Sequence, residues 1–143
     1  GKTGPRGAET YTLGMHRAAD NLEVAKRENS VITLESNYEQ KYEGFDPNSS
    51  ESYIIFELMQ DRNMAQSVRL ARMVQEQFRV TAKRLDKGVH QAGFLVLRAT
   101  SMPGVLVELG YINNPSEETY LNTQAGIAAM AKSIYKAIVA YRK

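Results

Sequence analysis

The stretch MPGVLVELGYINNPSEE, Met102 to Glu118, decides how the fold is interpreted. Its first half, VLVEL, is short, apolar and rich in valine, which is typical of a strand covered on two sides. Residues on a strand alternate between faces, so Leu106 and Glu108 should point one way and Val107 the other. In the second half, Asn114 is followed by a proline and then, three residues after the asparagine, by a glutamate. This pattern predicts the start of a helix.

Glu108 is the acid in an otherwise apolar strand. Burying an unpaired carboxylate costs on the order of several kcal/mol, unless it is paired, protonated or close to a metal. It lies near the end of the strand, where ligands bind in open α/β sheets. Two explanations stay open at this point. Glu108 is either a functional carboxylate or half of a buried ion pair, for example with Arg98 at the end of the preceding apolar run.

Working outward, the apolar run GFLVLRA (93–99) predicts a second central strand, preceded by a turn at Asp86 to Gly88, and AETYTL (8–13) predicts a third. Helical periodicity marks three segments: Ala18 to Leu34, a long stretch that begins at a capping Ser50 and continues to Arg84, and 124–143. Strands alternating with helices predict an α/β fold, with a mostly parallel sheet and helices on both faces. Three strands are few for such a sheet, so we expect further N-terminal strands outside this sequence.

Composition narrows the class of protein. The 143 residues are 43% hydrophobic and 24% charged, which suits a single domain. The 18 basic and 16 acidic residues are interspersed, so the charge gives no reason to expect a nucleic-acid partner. No apolar run approaches the roughly 18 residues of a membrane span, and without cysteine the chain has no thiolate ligands. Glycine-rich phosphate loops and the GxSxG motif are absent from the sequence as well.

The motif at 102–118 resembles the C-terminal signature of the zinc-dependent N-acetylmuramoyl-L-alanine amidases of the amidase type 3 family. GVHQAGFLVLRATSMP (88–103) and RGAETYTLG (6–14) resemble two further family segments in the same order. The resemblance implies a phosphorylase/hydrolase-like α/β fold, with residues 1–143 as one partial catalytic domain and a helical insertion at about 18–83. It also implies a hydrolase that cleaves the amide between N-acetylmuramic acid and the L-alanine of the stem peptide, with Glu108 as general base and acid.

The resemblance implies Zn²⁺ as cofactor, bound by a histidine on the first strand, a glutamate on an early helix and a histidine just before the RGA segment. None of these positions is in the sequence, so the ligands are expected upstream of Gly1. His16 and His90 do not have ligand spacing and are interpreted as surface or hydrogen-bonding residues. These residues alone are therefore expected to be inactive. The alternative is a non-catalytic peptidoglycan-binding or regulatory module of the same fold.

AKRENSVITLE (25–35) is similar to a helix that, in amidases of cell division, crosses the active site and gives a glutamate to zinc until an activator removes it. Glu28 matches that glutamate best, with Glu23 and Glu35 as rivals, and the alternative is that all three line a solvated helix face. Arg98 could grip a stem-peptide carboxylate, or form the ion pair considered above. The implied partners are peptidoglycan and an activator at the division site, and the implied location is periplasmic or extracellular, at the cell wall.

Overall fold

The computed structural model describes residues 4–14, 19–42, 46–49, 63–98 and 100–143. Three strands form one sheet in the order β2-β1-β3, namely β1 (Ala8–Leu13), β2 (Asp86–Ala92) and β3 (Leu106–Glu108). The helices are α1 (Ala19–Asn29), α2 (Tyr38–Lys41), α3 (Met64–Val80), α4 (Leu95–Arg98), α5 (Pro115–Leu121) and α6 (Gln124–Tyr141), with a 3₁₀ turn at Ser30–Leu34 after α1. The predicted helix start at Ser50 and the whole of His16 lie outside the described residues.

The sheet pairs its strands in two directions. β1 and β2 are parallel, whereas β1 and β3 are antiparallel with Glu9 opposite Glu108. The C-terminal end of β3 therefore lies at the edge where β1 and β2 begin. The α/β fold is confirmed, but the argument from the carboxyl ends of parallel strands does not apply to Glu108. What fixes the surroundings of Glu108 is its pairing with Glu9.

Helices cover both faces of the sheet, as predicted. On one face, α3 and α6 enclose a core of small and medium apolar side chains around Phe78. Its buried members are Ala8, Val74, Phe78, Met130 and Ala137. On the other face, α1, the 3₁₀ turn and α4 pack around Tyr11 and Phe94, whose rings meet edge to face at 5.1 Å. Leu106 lies against this second core and Val107 against the first, so the predicted alternation along β3 is confirmed.

A buried amide ties the starts of β1 and β2 together. Gln75 of α3 accepts a hydrogen bond from Thr10 Oγ1 at 2.9 Å. Its amide nitrogen donates to the Ala8 carbonyl at 3.0 Å and to Asp86 Oδ1 at 2.6 Å. One side chain thus satisfies polar groups of both strands, including the buried Thr10 hydroxyl. This clamp fixes the strand ends that carry Glu9 and Lys87 on the opposite face.

The predicted strand GFLVLRA is wrong. The strand ends at Ala92, and Leu95–Arg98 forms the short helix α4, with Leu95 and Leu97 buried and Val96 69% exposed. A continuous apolar run does not distinguish a buried strand from a buried helical turn. Asn29, at the end of α1, decides between them: its Oδ1 accepts from the Leu95 amide at 2.9 Å, and its Nδ2 donates to the Gly93 carbonyl at 2.8 Å.

The helix predicted after the motif is confirmed. α5 begins at Pro115, and the Asn114 side chain accepts from the Ser116 amide at 3.1 Å. The glutamate three residues after the cap does not complete a capping box, because the Glu117 carboxylate binds Arg84 instead. The same asparagine also donates to the Gly4 carbonyl at 2.9 Å. Asn114 therefore joins the start of α5 to the segment that leads into β1.

The segment predicted as a helical insertion, about 18–83, contains α1, the 3₁₀ turn, α2 and α3. α3 packs against β1, β2 and α6, so the last part of this segment contributes to the main core. The division into a domain and an insertion stays a prediction. Across the described parts of the chain, no helix combines the length and apolarity that crossing a bilayer requires.

Candidate active site

Glu108 is half-buried at the end of β3, on the face covered by α1. Its pKa is raised, first by burial, then by the negative charges of Glu28 and Glu9, and Arg27 opposes the shift. No hydrogen-bond or ion-pair partner of its carboxylate is found among residues 4–14, 19–42, 46–49, 63–98 and 100–143. A carboxylate in this state binds a proton more readily than one in water does, which suits a group that must accept a proton and release it again.

Glu9, directly across the sheet, has the opposite surroundings. It is 8% exposed, and its carboxylate accepts hydrogen bonds from the hydroxyls of Tyr111 and of Tyr11, the latter at 3.4 Å. His90 Nε2 lies 3.3 Å and Lys87 Nζ 3.9 Å from its Oε2. The two paired glutamates are therefore unlike: Glu9 is held by donors on several sides, and Glu108 has none of these contacts.

A β-bulge brings both basic residues to Glu9. Ala8 pairs with Asp86 but Thr10 pairs with Val89, so β2 fits one more residue than β1 into the same interval. Gly88 takes φ +90° at this point, which a residue with a side chain adopts only with strain. In a regular strand, Lys87 and His90 would point to opposite faces. The extra residue puts both on the face of Glu9, in the way that bulges re-aim side chains.

Tyr111 connects Glu9 to Lys87. Its hydroxyl donates to Glu9 and accepts from Lys87 Nζ at 2.8 Å, and the ammonium also lies 4.4 Å from the ring centroid. Burial and the hydrogen bond to Glu9 raise the pKa of Tyr111. The pKa of Tyr11 is raised too, by burial and then by the charge of Glu9. Both phenols therefore stay protonated and keep their role as donors to Glu9.

Helix α1 brings its last turn to Glu108. Asn29 is buried and anchored to the β2–α4 connection, while Arg27 and Glu28 are exposed and act electrostatically on Glu108. The rival glutamates have other surroundings. Glu23 is paired with Lys26 at 3.7 Å on the surface. Glu35 binds Lys41 and accepts from the Tyr42 hydroxyl at 2.9 Å, and these contacts lower its pKa.

The structure also bears on the sequence predictions for Arg98, His90 and the metal site. Arg98 does not close a strand, since it ends α4, and in the described residues the cation that acts on Glu108 is Arg27. His90, interpreted from the sequence as a surface or hydrogen-bonding residue, indeed forms a hydrogen bond, since its Nε2 lies 2.8 Å from the Lys87 carbonyl oxygen. It also belongs to the site, with the same nitrogen 3.3 Å from Glu9 and its ring 5.3 Å from that of Tyr11. Within the described ranges, no group of three or more His, Cys, Asp or Glu side chains could hold a metal ion. These residues by themselves therefore do not form a zinc site.

The turn that follows Glu108 rests on a buried ion pair. Arg84 and Glu117 form a direct contact with side chains 12% and 4% exposed, and the guanidinium lies 4.4 Å from the ring centroid of Tyr120. Gly110 lies against this pair: a Cβ at that position would come within 2.7 Å of Glu117 Oε2. The chain after β3 can thus pass close to the pair only because residue 110 is glycine. The ion pair and the sheet together fix the position of Glu108.

Together, these features define an α/β domain with a half-buried carboxylate of raised pKa at one edge of its sheet. Comparison with known proteins gives the family. The family model for N-acetylmuramoyl-L-alanine amidase, Amidase_3, matches residues 1–140. The chain belongs to this family.

Individual relatives agree with this assignment. The chain is 32% identical to the N-acetylmuramoyl-L-alanine amidase AmiA of Escherichia coli K12 over 88 residues, which cover 62% of this chain and 30% of that protein. It is 34% identical over 89 residues to AmiC of Escherichia coli O6:H1, covering 62% and 21%. The crystal structure of the amidase from Clostridium difficile 630 superposes with a TM-score of 0.59 at 21% identity, covering 98% of this chain and 50% of that one. The chain thus spans about half of the solved amidase and at most a third of these curated relatives.

Proposed function

We propose that the protein containing this chain is a peptidoglycan hydrolase, which cleaves the amide between N-acetylmuramic acid and the L-alanine of the stem peptide. The observation that carries the proposal is the state of Glu108. It stands at the position that matches the glutamate of the family motif, half-buried, without a bonded cation among the described residues, and with a raised pKa. Family membership supplies the substrate class, and Glu108 supplies the chemistry that this part of the protein can perform.

In this proposal, Glu108 accepts a proton from the water that attacks the scissile carbonyl and then delivers it to the leaving amine of L-alanine. Both steps are served best by a group whose pKa lies near the working pH. The apolar surroundings of β3 and the nearby negative charges favour such a pKa.

The zinc of this family lowers the pKa of a water and polarises the carbonyl when bound. The described residues do not provide a ligand set, so we assign none of them to the metal and no step to it. The histidine, glutamate and histidine ligands would come from outside these 143 residues. The site would act in the periplasm or at the outer cell wall, where peptidoglycan lies.

The test is made on the full-length gene product and purified sacculi. We expect soluble stem peptides with a free L-alanine amino group, identified by mass spectrometry, and stoichiometric zinc in the purified protein. The competing proposal, a non-catalytic binding module of the same fold, predicts that the protein sediments with sacculi, releases no peptide and contains no zinc. Muropeptides cut at a glycosidic bond would contradict both proposals.

Arg98 stays our candidate for contact with the substrate. It is half-buried at the C-terminal end of α4, a helix whose other end is fixed by Asn29. A guanidinium there could bind a stem-peptide carboxylate in a bidentate manner. The alternative from the sequence, an ion pair with Glu108, has less support, because Arg27 is the cation acting on Glu108.

Regulation by α1 is the finer part of the proposal. Of the three glutamates considered, Glu28 is the one close enough for its charge to act on Glu108, which supports its place beside the site. In the full-length protein, Glu28→Ala should raise the basal rate of dye release from labelled sacculi roughly tenfold, a typical coupling between a regulatory element and a site. An activator at the division site should then add little.

Glu23→Ala is the matched control, because Glu23 lies on the same helix with its own partner, Lys26. It should leave the basal rate unchanged. A Glu28→Ala protein with the same basal rate as the parent would rule out an inhibitory contact and leave Glu28 as part of a solvated helix face.

A further inference from the structure

The unlike pair Glu9 and Glu108 suggests a role for Glu9 that rests on the proposed function of Glu108. In an antiparallel pair, directly opposite residues on one face have Cβ atoms about 4.5–5.5 Å apart. Two carboxylates at such a distance repel each other, so the pair costs free energy unless one of them binds a proton or is neutralised. A sheet with no function at this place would be expected to hold a neutral or oppositely charged pair.

The groups around the pair differ between its two members. Glu9 receives the Tyr111 and Tyr11 hydroxyls, and His90 and Lys87 stand within 3.3 and 3.9 Å of it. Glu108 faces Glu9 and Tyr11 from β1, Arg27 and Glu28 from α1, and Tyr111 from the turn that follows β3. The hydrogen-bond donors therefore lie around Glu9, whereas Glu108 is close to two acidic side chains, Glu9 and Glu28, and to one basic side chain, Arg27.

The arrangement around Glu9 requires an irregular strand and the burial of a carboxylate, both of which are unfavourable by themselves. The bulge at Gly88 is required to put Lys87 and His90 on the same face, and a buried carboxylate needs all of its partners to be tolerated. Gln75 holds the bulged region from the other side of the sheet through Asp86, which also accepts from the Gly88 amide at 2.8 Å. Backbone, bulge and side chains thus all act to hold the Glu9 carboxylate beside Glu108.

We propose that Glu9 is a positioning residue of the amidase site, a buried carboxylate held by the Tyr111 and Tyr11 hydroxyls whose negative charge favours the transferable proton on Glu108. The anchored Tyr111 is part of the same device, because its hydroxyl holds the Glu9 carboxylate and its backbone follows Glu108 by three residues. Glu9 itself does not touch the substrate. It acts on the reaction through the proton affinity of its neighbour: burial raises the pKa of Glu108 most, followed by the charge of Glu28 and then that of Glu9.

The test compares Glu9→Gln with Glu9→Asp in the full-length protein. Glutamine keeps the size and can still accept from the two hydroxyls, but it removes the charge. We expect the acidic limb of the kcat/KM profile on sacculi to move to lower pH, because the proton leaves Glu108 more easily, and the rate at neutral pH to fall roughly three- to tenfold. Glu9→Asp, which keeps the charge, should restore the position of the limb. Glu76→Gln, which removes an exposed charge on α3, should leave the profile unchanged.

A second measurement does not depend on activity. The carboxyl carbon of Glu108, followed by NMR in a ¹³C-labelled protein, should titrate at lower pH in Glu9→Gln than in the parent. An unchanged titration midpoint and an unchanged acidic limb in a folded Glu9→Gln protein would overturn the proposal and make Glu9 a structural residue. If Glu108 titrates as expected in both proteins but sacculi are not cleaved by the parent, the proposed function fails and the electrostatic pairing stands.

Discussion

Replacing Glu108 with glutamine should lower kcat/KM of the full-length protein on purified sacculi by about 10²- to 10⁴-fold, the usual contribution of a general base and acid. Glutamine has the same shape, so the packing of β3 against β1 is kept. In the proposed mechanism, the variant lacks the group that takes the proton from water and returns it to the leaving amine. Release of stem peptides over a range of pH measures the effect, and the residual activity should no longer show an acidic limb.

The same substitution should raise thermal stability at neutral pH. The pKa of Glu108 is raised in the folded protein, so folding favours its protonated form. The stability that it contributes is present at acid pH, below the pKa of the unfolded chain, and is lost as the pH rises through the folded pKa. At neutral pH the parent therefore holds a poorly solvated charge that Glu108→Gln removes, and the difference in Tm should shrink as the pH falls.

Glu118→Gln serves as the control, because Glu118 is exposed on α5 and belongs to no part of the site. It should retain the activity and the stability of the parent. A folded Glu108→Gln protein with more than a tenth of the parental kcat/KM would contradict the role of Glu108. Lower stability of this variant at neutral pH would contradict the assignment of its raised pKa.

The second large effect is expected at the buried ion pair. Glu117→Ala should lower the free energy of unfolding by about 3–5 kcal/mol, because it leaves the Arg84 guanidinium buried without its partner. Arg84 is 12% exposed and stacks on Tyr120, so it cannot reach water without breaking that contact. Urea unfolding of the full-length protein, followed by circular dichroism, measures the loss.

Two variants separate this effect from a general sensitivity of α5. Glu118→Ala removes the neighbouring exposed acid and should change the free energy by less than about 0.5 kcal/mol. Arg84→Met combined with Glu117→Leu replaces the pair with apolar side chains and should recover most of the stability lost in Glu117→Ala. Equal losses in Glu117→Ala and Glu118→Ala would show that the ion pair is not what holds the turn after β3.

The parts of the fold that could be predicted are those with local signals. The apolar alternation of β3 and the Asn-Pro start of α5 are contained within a dozen residues, and both are found where the sequence places them. The segment at 93–99 was misassigned because the group that caps α4 is Asn29, 64 and 66 residues away from its two partners. The apolar run itself contains no sequence signal for that cap.

The site could be predicted in part for the same reason. Glu108 stands out as a charge in an apolar strand, but Glu9 lies in a stretch that looks like an ordinary strand with one polar face. Its importance depends on the antiparallel pairing of two strands about a hundred residues apart. A weak signal was present in Gly88, since a glycine within a strand often marks a bulge. Because Gly88 was interpreted as part of a turn, the contact of His90 with the site was not predicted.

Asn29 also has a consequence for how α1 could move. Its side-chain oxygen accepts a hydrogen bond from the Leu95 amide at the start of α4, and its side-chain nitrogen donates one to the connection before α4. Lifting the end of α1 therefore leaves the Leu95 amide without this partner. Displacement of α1 should then be accompanied by fraying of α4. Hydrogen exchange at the Leu95 amide would therefore report how often the helix leaves the site, even when no substrate is present.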